Sequence, residues 1–164
     1  MNSKKLFIWG FLFVSVIGSL LHFVYEWSGN NSIVRLFAPW NESTWEHMKL
    51  LFFPMLVLVL FLFFKLSEQS PIPVALSIGT LVGLALIPIL FYTYTGVLGF
   101  SVMAIDIAIF YISVLGVFLT GWFLKDNRKL ANRSGLLLTC LVILAILFFI
   151  FSYYPPEIGL FQEP

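Results

Sequence analysis

The chain has 164 residues, 60% of them hydrophobic and only 10% charged, whereas an ordinary soluble domain is about one quarter charged. With a mean hydropathy of +1.00, that balance excludes a soluble globular domain and makes the lipid bilayer the chain's main partner. A formal net charge of +1 leaves no basic surface for nucleic acid, and the single cysteine, Cys140, excludes an intrachain disulfide.

Five segments are long and apolar enough to cross roughly 30 Å of hydrocarbon: about 6–25, 45–66, 72–92, 101–124 and 136–153. The fold class expected is therefore all-α, a single domain over 1–164 forming a bundle of five transmembrane helices. The first segment follows Lys4 and Lys5 and has the look of a signal peptide. It lacks a small-residue cleavage site and its apolar run is too long, so it is expected to stay as a span. The connection 26–44 contains "SIVRLFAPW", which mixes apolar residues with Arg35 and predicts a short interfacial helix.

The second span opens on "NESTWEHMKL", residues 41–50, the densest ionisable stretch of the chain. Ser43 and Glu46 are spaced as a capping box, and carboxylates suit the positive end of the helix dipole. The third span carries Gly79 and Gly83, a spacing that lets helices approach closely. The fourth carries Asp106 about five residues in, roughly 7–8 Å deep at 1.5 Å per residue. On that helix Asp106, Ser113 and Thr120 repeat every seven residues, a polar face turned into a bundle. Pro155 and Pro156 end the fifth span, and the tail 154–164 is expected to fold back over the same face.

The basic residues predict an orientation. With the N-terminus inside, the inner side holds Lys4, Lys5, Lys65, Lys125, Arg128, Lys129 and Arg133, seven of the nine; the outer side holds Arg35 and Lys49. Tyr25, Trp27, Trp40, Trp45, Tyr92, Tyr94, Tyr153 and Tyr154 then crowd the outer interface as an aromatic belt. A multipass protein of the cell membrane follows, N-terminus inside and C-terminus outside.

On this topology the ionisable residues are one-sided. Glu68 and Asp126 fall in inner loops, and Glu157 and Glu163 in the outer tail. His22, Glu26, Glu42, Glu46, His47 and Asp106 gather near the outer surface, and the inner halves of the spans hold no acid or histidine. His22 and Glu26 are four residues apart and share a helix face. An acid at bilayer depth is costly without a partner and marks a functional site by default. The expected arrangement is one cluster: His22, Glu26, Glu42 and His47 as ligands of a divalent metal such as Zn, and Glu46 and Asp106 as catalytic carboxylates. Tyr92, Tyr94 and Lys49 would line it. His47 follows Glu46 directly, so the two side chains diverge by about 100° around the helix.

Three function classes fit this composition. The first is a metal-dependent membrane hydrolase acting on a lipid or another amphipathic substrate, with a metal-activated water and Glu46 as base. The second is a non-catalytic module that binds a metal, a lipid or a partner. The third is a transporter or pore subunit, which the apolar inner halves disfavour.

Three stretches, "GSLLHFVYEWSG", "APWNESTWEHMKLLFFP" and "PPEIGLF", resemble a group of small multipass membrane proteins of bacteria and archaea, with N-E-S-x-W-E-H as the distinctive part. The resemblance covers most of the chain. It implies a multipass architecture and carries no activity.

Overall fold

The computed structural model describes residues 2–67 and 69–164; Glu68, read from the sequence as an inner-loop acid, lies outside them. Among the described residues the regular structure is entirely helical: α1 (Ser3–Trp27), α2 (Thr44–Lys65), α3 (Ile72–Leu98), α4 (Met103–Leu124) and α5 (Ser134–Tyr153), with three short 3-10 segments. All five α-helices lie in segments long and apolar enough to span a bilayer. The chain is a multipass membrane protein. Its exposed surface fits that setting: Trp9, Phe64, Val97 and Phe123 all point outward.

Local chemistry sets the ends. Asn2 caps α1 by accepting from Lys4 N–H at 3.0 Å. Gly29 (φ +69°) and Asn30 (φ +61°) then turn the chain through left-handed backbone, a conformation those two residue types tolerate. Ser43 caps α2 through Glu46 N–H. α3 runs six residues beyond the expected end at 92, to Leu98. Within Tyr92–Leu98 only Gly96 weakens a helix, and it does not end this one; the breaker is Gly99, whose φ of +81° and bond to the Thr95 carbonyl close it. The interfacial helix expected within 26–44 shrinks to one 3-10 turn, Val34–Leu36.

α1, α2, α3 and α4 form a closed ring of neighbours, each packed on the next and α4 back on α1; α5 lies outside, against α2 and α3. Val14, Leu51, Phe52, Met55, Val59, Leu76, Val114, Val117 and Phe148 make the buried centre. Glycines bring the backbones together. A Cβ on Gly79 would collide with the Val117 carbonyl, and one on Gly83 would press on Val117 and Ser113, so α3 and α4 lie in close contact. Pro54 lacks an N–H and leaves the Leu50 carbonyl of α2 without its helical partner. A Cβ on Gly18 would lie 2.5 Å from that oxygen, so α1 passes close to α2 there.

One end of the bundle carries the connection 28–43, the turn 99–102 and the tail. The tail folds back onto it: Phe161 is buried, its ring 4.9 Å from Trp45, which lies 4.6 Å from Phe148 of α5. The residues singled out from the sequence lie at this end.

Candidate functional site

Of the six residues expected in one cluster, five fall in three separate groups and Glu26 in none. Glu46 and His47 are neighbours on α2 and leave the helix in different directions, which sends each to its own partners.

The first group joins α1, the connecting loop and α2. One ligand atom each from His22, Glu42 and His47 lies within 4.8 Å of the other two. The imidazoles of His22 and His47 are 5.3 Å apart, centroid to centroid. His47 Nδ1 is 3.0 Å from the Ser43 carbonyl oxygen. A carbonyl only accepts, so Nδ1 carries the proton and donates it. The other nitrogen, Nε2, is thereby aimed at Glu42 Oε2, 3.3 Å away. The contact with His47 holds the Glu42 carboxyl below its usual range, against the opposing effect of partial burial. His22 Nδ1 is buried and has no hydrogen-bond partner. Asp106 and Glu26 stand within electrostatic reach of His47 and His22 respectively.

The second group is sealed. Lys49 is fully buried and Glu46 is 2% exposed. The Lys49 ammonium donates to Glu46 Oε2 at 2.5 Å, to Ser152 Oγ of α5 at 2.5 Å and to the Arg35 carbonyl of the loop at 2.9 Å. Three donors meet three acceptors, the full capacity of an ammonium. Glu46 Oε2 also accepts from Trp40 N–H at 3.4 Å. Arg35 closes the group. Its guanidinium donates to the Ser152 carbonyl at 2.5 Å and lies over Trp40, 3.7 Å from the ring centroid. Lys49 therefore does not line the histidine group, and Glu46 is held away from it.

The third group joins α3 to α4. Tyr94 donates its hydroxyl proton to Asp106, and Val102 N–H donates to the same Tyr94 oxygen at 3.0 Å. Asp106, in the first turn of α4, thus has a neutral partner. Tyr92 belongs to none of the three; it is exposed and lines a shallow groove with Phe100 and Gln162. Glu26 is exposed in the last turn of α1.

Sequence reasoning missed the supporting residues of the second group. Glu46 and Lys49 are three apart and so share a face, which was a readable signal. Ser152, the one serine in the run "ILFFIFSYY", was a weaker one. Arg35 stood out only as an interfacial charge.

Chemically the first group has the donors a cation would need: two imidazoles and a carboxylate converge, and one imidazole is already oriented by a backbone carbonyl, as metal-bound histidines commonly are. The second is a structural lock between loop, α2 and α5. No curated protein and no solved structure matches the chain. A family described as of unknown function matches it over residues 1–164.

Proposed function

The chain belongs to that family, DUF6512, which supplies no activity, and we propose that it is a cell-membrane protein that captures a divalent transition metal such as Zn through His22, Glu42 and His47. It acts as a binding or sensing module, with its N-terminus inside and the site at the outer leaflet. Seven of nine basic residues on the opposite side support that orientation.

The observation that carries this reading is the convergence of His47, Glu42 and His22. The His47 Nδ1 proton is committed to Ser43, which turns Nε2 toward the Glu42 carboxylate at 3.3 Å. Nε2 and the carboxylate can share one cation, a proton or a metal that displaces it, and His22 offers the third ligand atom. Imidazole and carboxylate together suit zinc and its first-row neighbours better than magnesium or calcium.

A second reading, a metal-dependent hydrolase of amphipathic substrates, is favoured by the donor set: two histidines and a glutamate also serve catalytic zinc. It ranks lower because a general base must be free to take a proton. Glu46 is engaged by Lys49 and Asp106 by Tyr94.

Zinc titration of the detergent-solubilised chain, followed by calorimetry, tests the reading. One zinc per chain is expected, with affinity at least about tenfold weaker in Glu42→Gln and His47→Ala. Equal binding by all three proteins would refute it.

A further inference from the structure

The two ends of the bundle treat their cations differently. At the end already described, Arg35 and Lys49 are both engaged inside the fold, by Ser152, Trp40 and Glu46. The opposite end carries Lys4, Lys5, Lys65, Lys125, Arg128, Lys129 and Arg133. The last four fall in the connection from α4 to α5. Lys125 is engaged there: its ammonium pairs with Asp126 and lies 4.4 Å from the Trp122 ring centroid. Asp126 is the one acid of that connection. Arg128, Lys129 and Arg133 have no carboxylate partner among the described residues.

These three cations sit on ordered backbone. Arg128–Arg133 forms a 3-10 helix opened by Asn127, whose side chain accepts from Lys129 N–H at 3.2 Å. It runs straight into α5 and packs on α5 and α3. Leu130 and Ala131 are half-buried, while Arg128, Lys129 and Arg133 are exposed. The preference for basic residues on one side of a membrane acts on the chain as it inserts. It does not call for a folded turn that covers its apolar residues and leaves its cations unpaired. The surroundings of the turn specify what it meets. It joins two spans, so it lies at headgroup level. Phe123, near the end of α4, is 81% exposed and Leu136, near the start of α5, is 58% exposed. Cations flanked by exposed apolar side chains complement an amphiphile with an anionic head; a soluble anion would leave Phe123 and Leu136 unused.

We propose that the turn 128–133 binds the headgroup phosphate of an anionic phospholipid in the adjacent leaflet, with Arg128, Lys129 and Arg133 as donors and Phe123 and Leu136 against its acyl chains. Guanidinium groups suit phosphate because they offer paired N–H donors in one plane. Each cation at the membrane surface adds to the attraction, and three on one short turn act together. The site lies at the opposite end of the bundle from His22, Glu42 and His47 and does not depend on the metal reading. A bound lipid fastens α5, the helix outside the ring of four, to the bilayer surface at this end.

Native mass spectrometry of the full chain in detergent tests this, because orientation in a membrane plays no part there. Offered phosphatidylglycerol and phosphatidylcholine with the same acyl chains, the wild type is expected to hold one phosphatidylglycerol at least about tenfold more tightly. The joint variant Arg128→Gln, Lys129→Gln and Arg133→Gln, all at exposed positions, is expected to bind the two lipids equally, with its thermal unfolding midpoint unchanged. Arg133→Gln alone should lose part of the preference, which reads the site even if the joint variant unfolds. Lys4→Gln with Lys5→Gln removes two cations from the same end and should keep the preference in full. Equal binding of the two lipids by the wild type, or a joint variant that keeps the preference, would overturn the site. An equal loss in the Lys4 and Lys5 variant would reduce it to diffuse charge and overturn it as well. Displacement of the lipid by millimolar inorganic phosphate would overturn the lipid as its occupant.

Discussion

Lys49 is the largest fully buried side chain among the described residues. A buried ammonium is tolerated only when its protons and its charge are both answered, and here the Arg35 carbonyl, Glu46 and Ser152 answer them. Lys49→Met should therefore strand the Glu46 charge and cost about 3–5 kcal/mol. Unfolding in detergent would report it as a lowered midpoint. The double variant Lys49→Met with Glu46→Leu removes both charges and should be more stable than Lys49→Met alone. If the double variant is the less stable by the sum of two independent losses, the pair is not the lock described. Part of this was legible in the sequence, since Glu46 and Lys49 share a helix face. The bond to Ser152 was not. It joins residues 103 apart, and no local pattern in an apolar helix tells which neighbour it will meet. The neighbouring position behaves differently. His22 and His47 fall at one membrane depth in the sequence and stand ring to ring in the structure, because depth follows directly from helix rise.

At the scale of elements, five apolar helices could be read from hydropathy because each run had to satisfy its own backbone in lipid. Their ends were less legible. Hydropathy fades at Tyr92, but α3 continues to Gly99, because only the left-handed residue stops it. The packing of α3 on α4 depends on glycine rather than on an apolar stripe, since lipid is as apolar as the helix interior. Gly79→Ala, which drives a Cβ into the Val117 carbonyl, should cost about 1–3 kcal/mol as an overpacking change. Gly96→Ala on the same helix meets no atom within 4 Å and should be neutral or mildly stabilising through helix propensity. Equal effects of the two in a detergent unfolding assay would show that α3 and α4 are not held by that contact.

For the molecule as a whole, the alternation of five spans puts the connection 28–43 and the region 125–133 on opposite faces of the membrane. The bias of basic residues toward the second of these predicts which face is inner. Asn31→Cys and Lys129→Cys, each in a Cys140→Ser background, place exposed thiols on the two faces. A membrane-impermeant maleimide should label position 31 in intact cells and position 129 only after permeabilisation. The reverse pattern would invert the orientation, and labelling of both in intact cells would contradict an odd number of crossings. The polar residues also acquire a common logic at this scale. α2 begins where three groups meet: a histidine pair on one side, a sealed ion pair on another, and the Tyr94–Asp106 contact of α3 and α4 nearby. Ser43 serves two of them, its carbonyl orienting His47 and its hydroxyl accepting from Glu46 N–H at 3.4 Å. Filling the histidine site would thus tie the end of α1 to the start of α2.

The most direct test is X-ray absorption at the zinc edge on the purified, zinc-loaded chain. The account predicts two imidazoles in the first shell, visible by the multiple scattering of their rings, with oxygen ligands completing about four donors near 2.0–2.1 Å. His22→Ala and His47→Ala should each remove one imidazole from that shell. A zinc shell of oxygens alone, or a spectrum unchanged by both substitutions, would contradict the account.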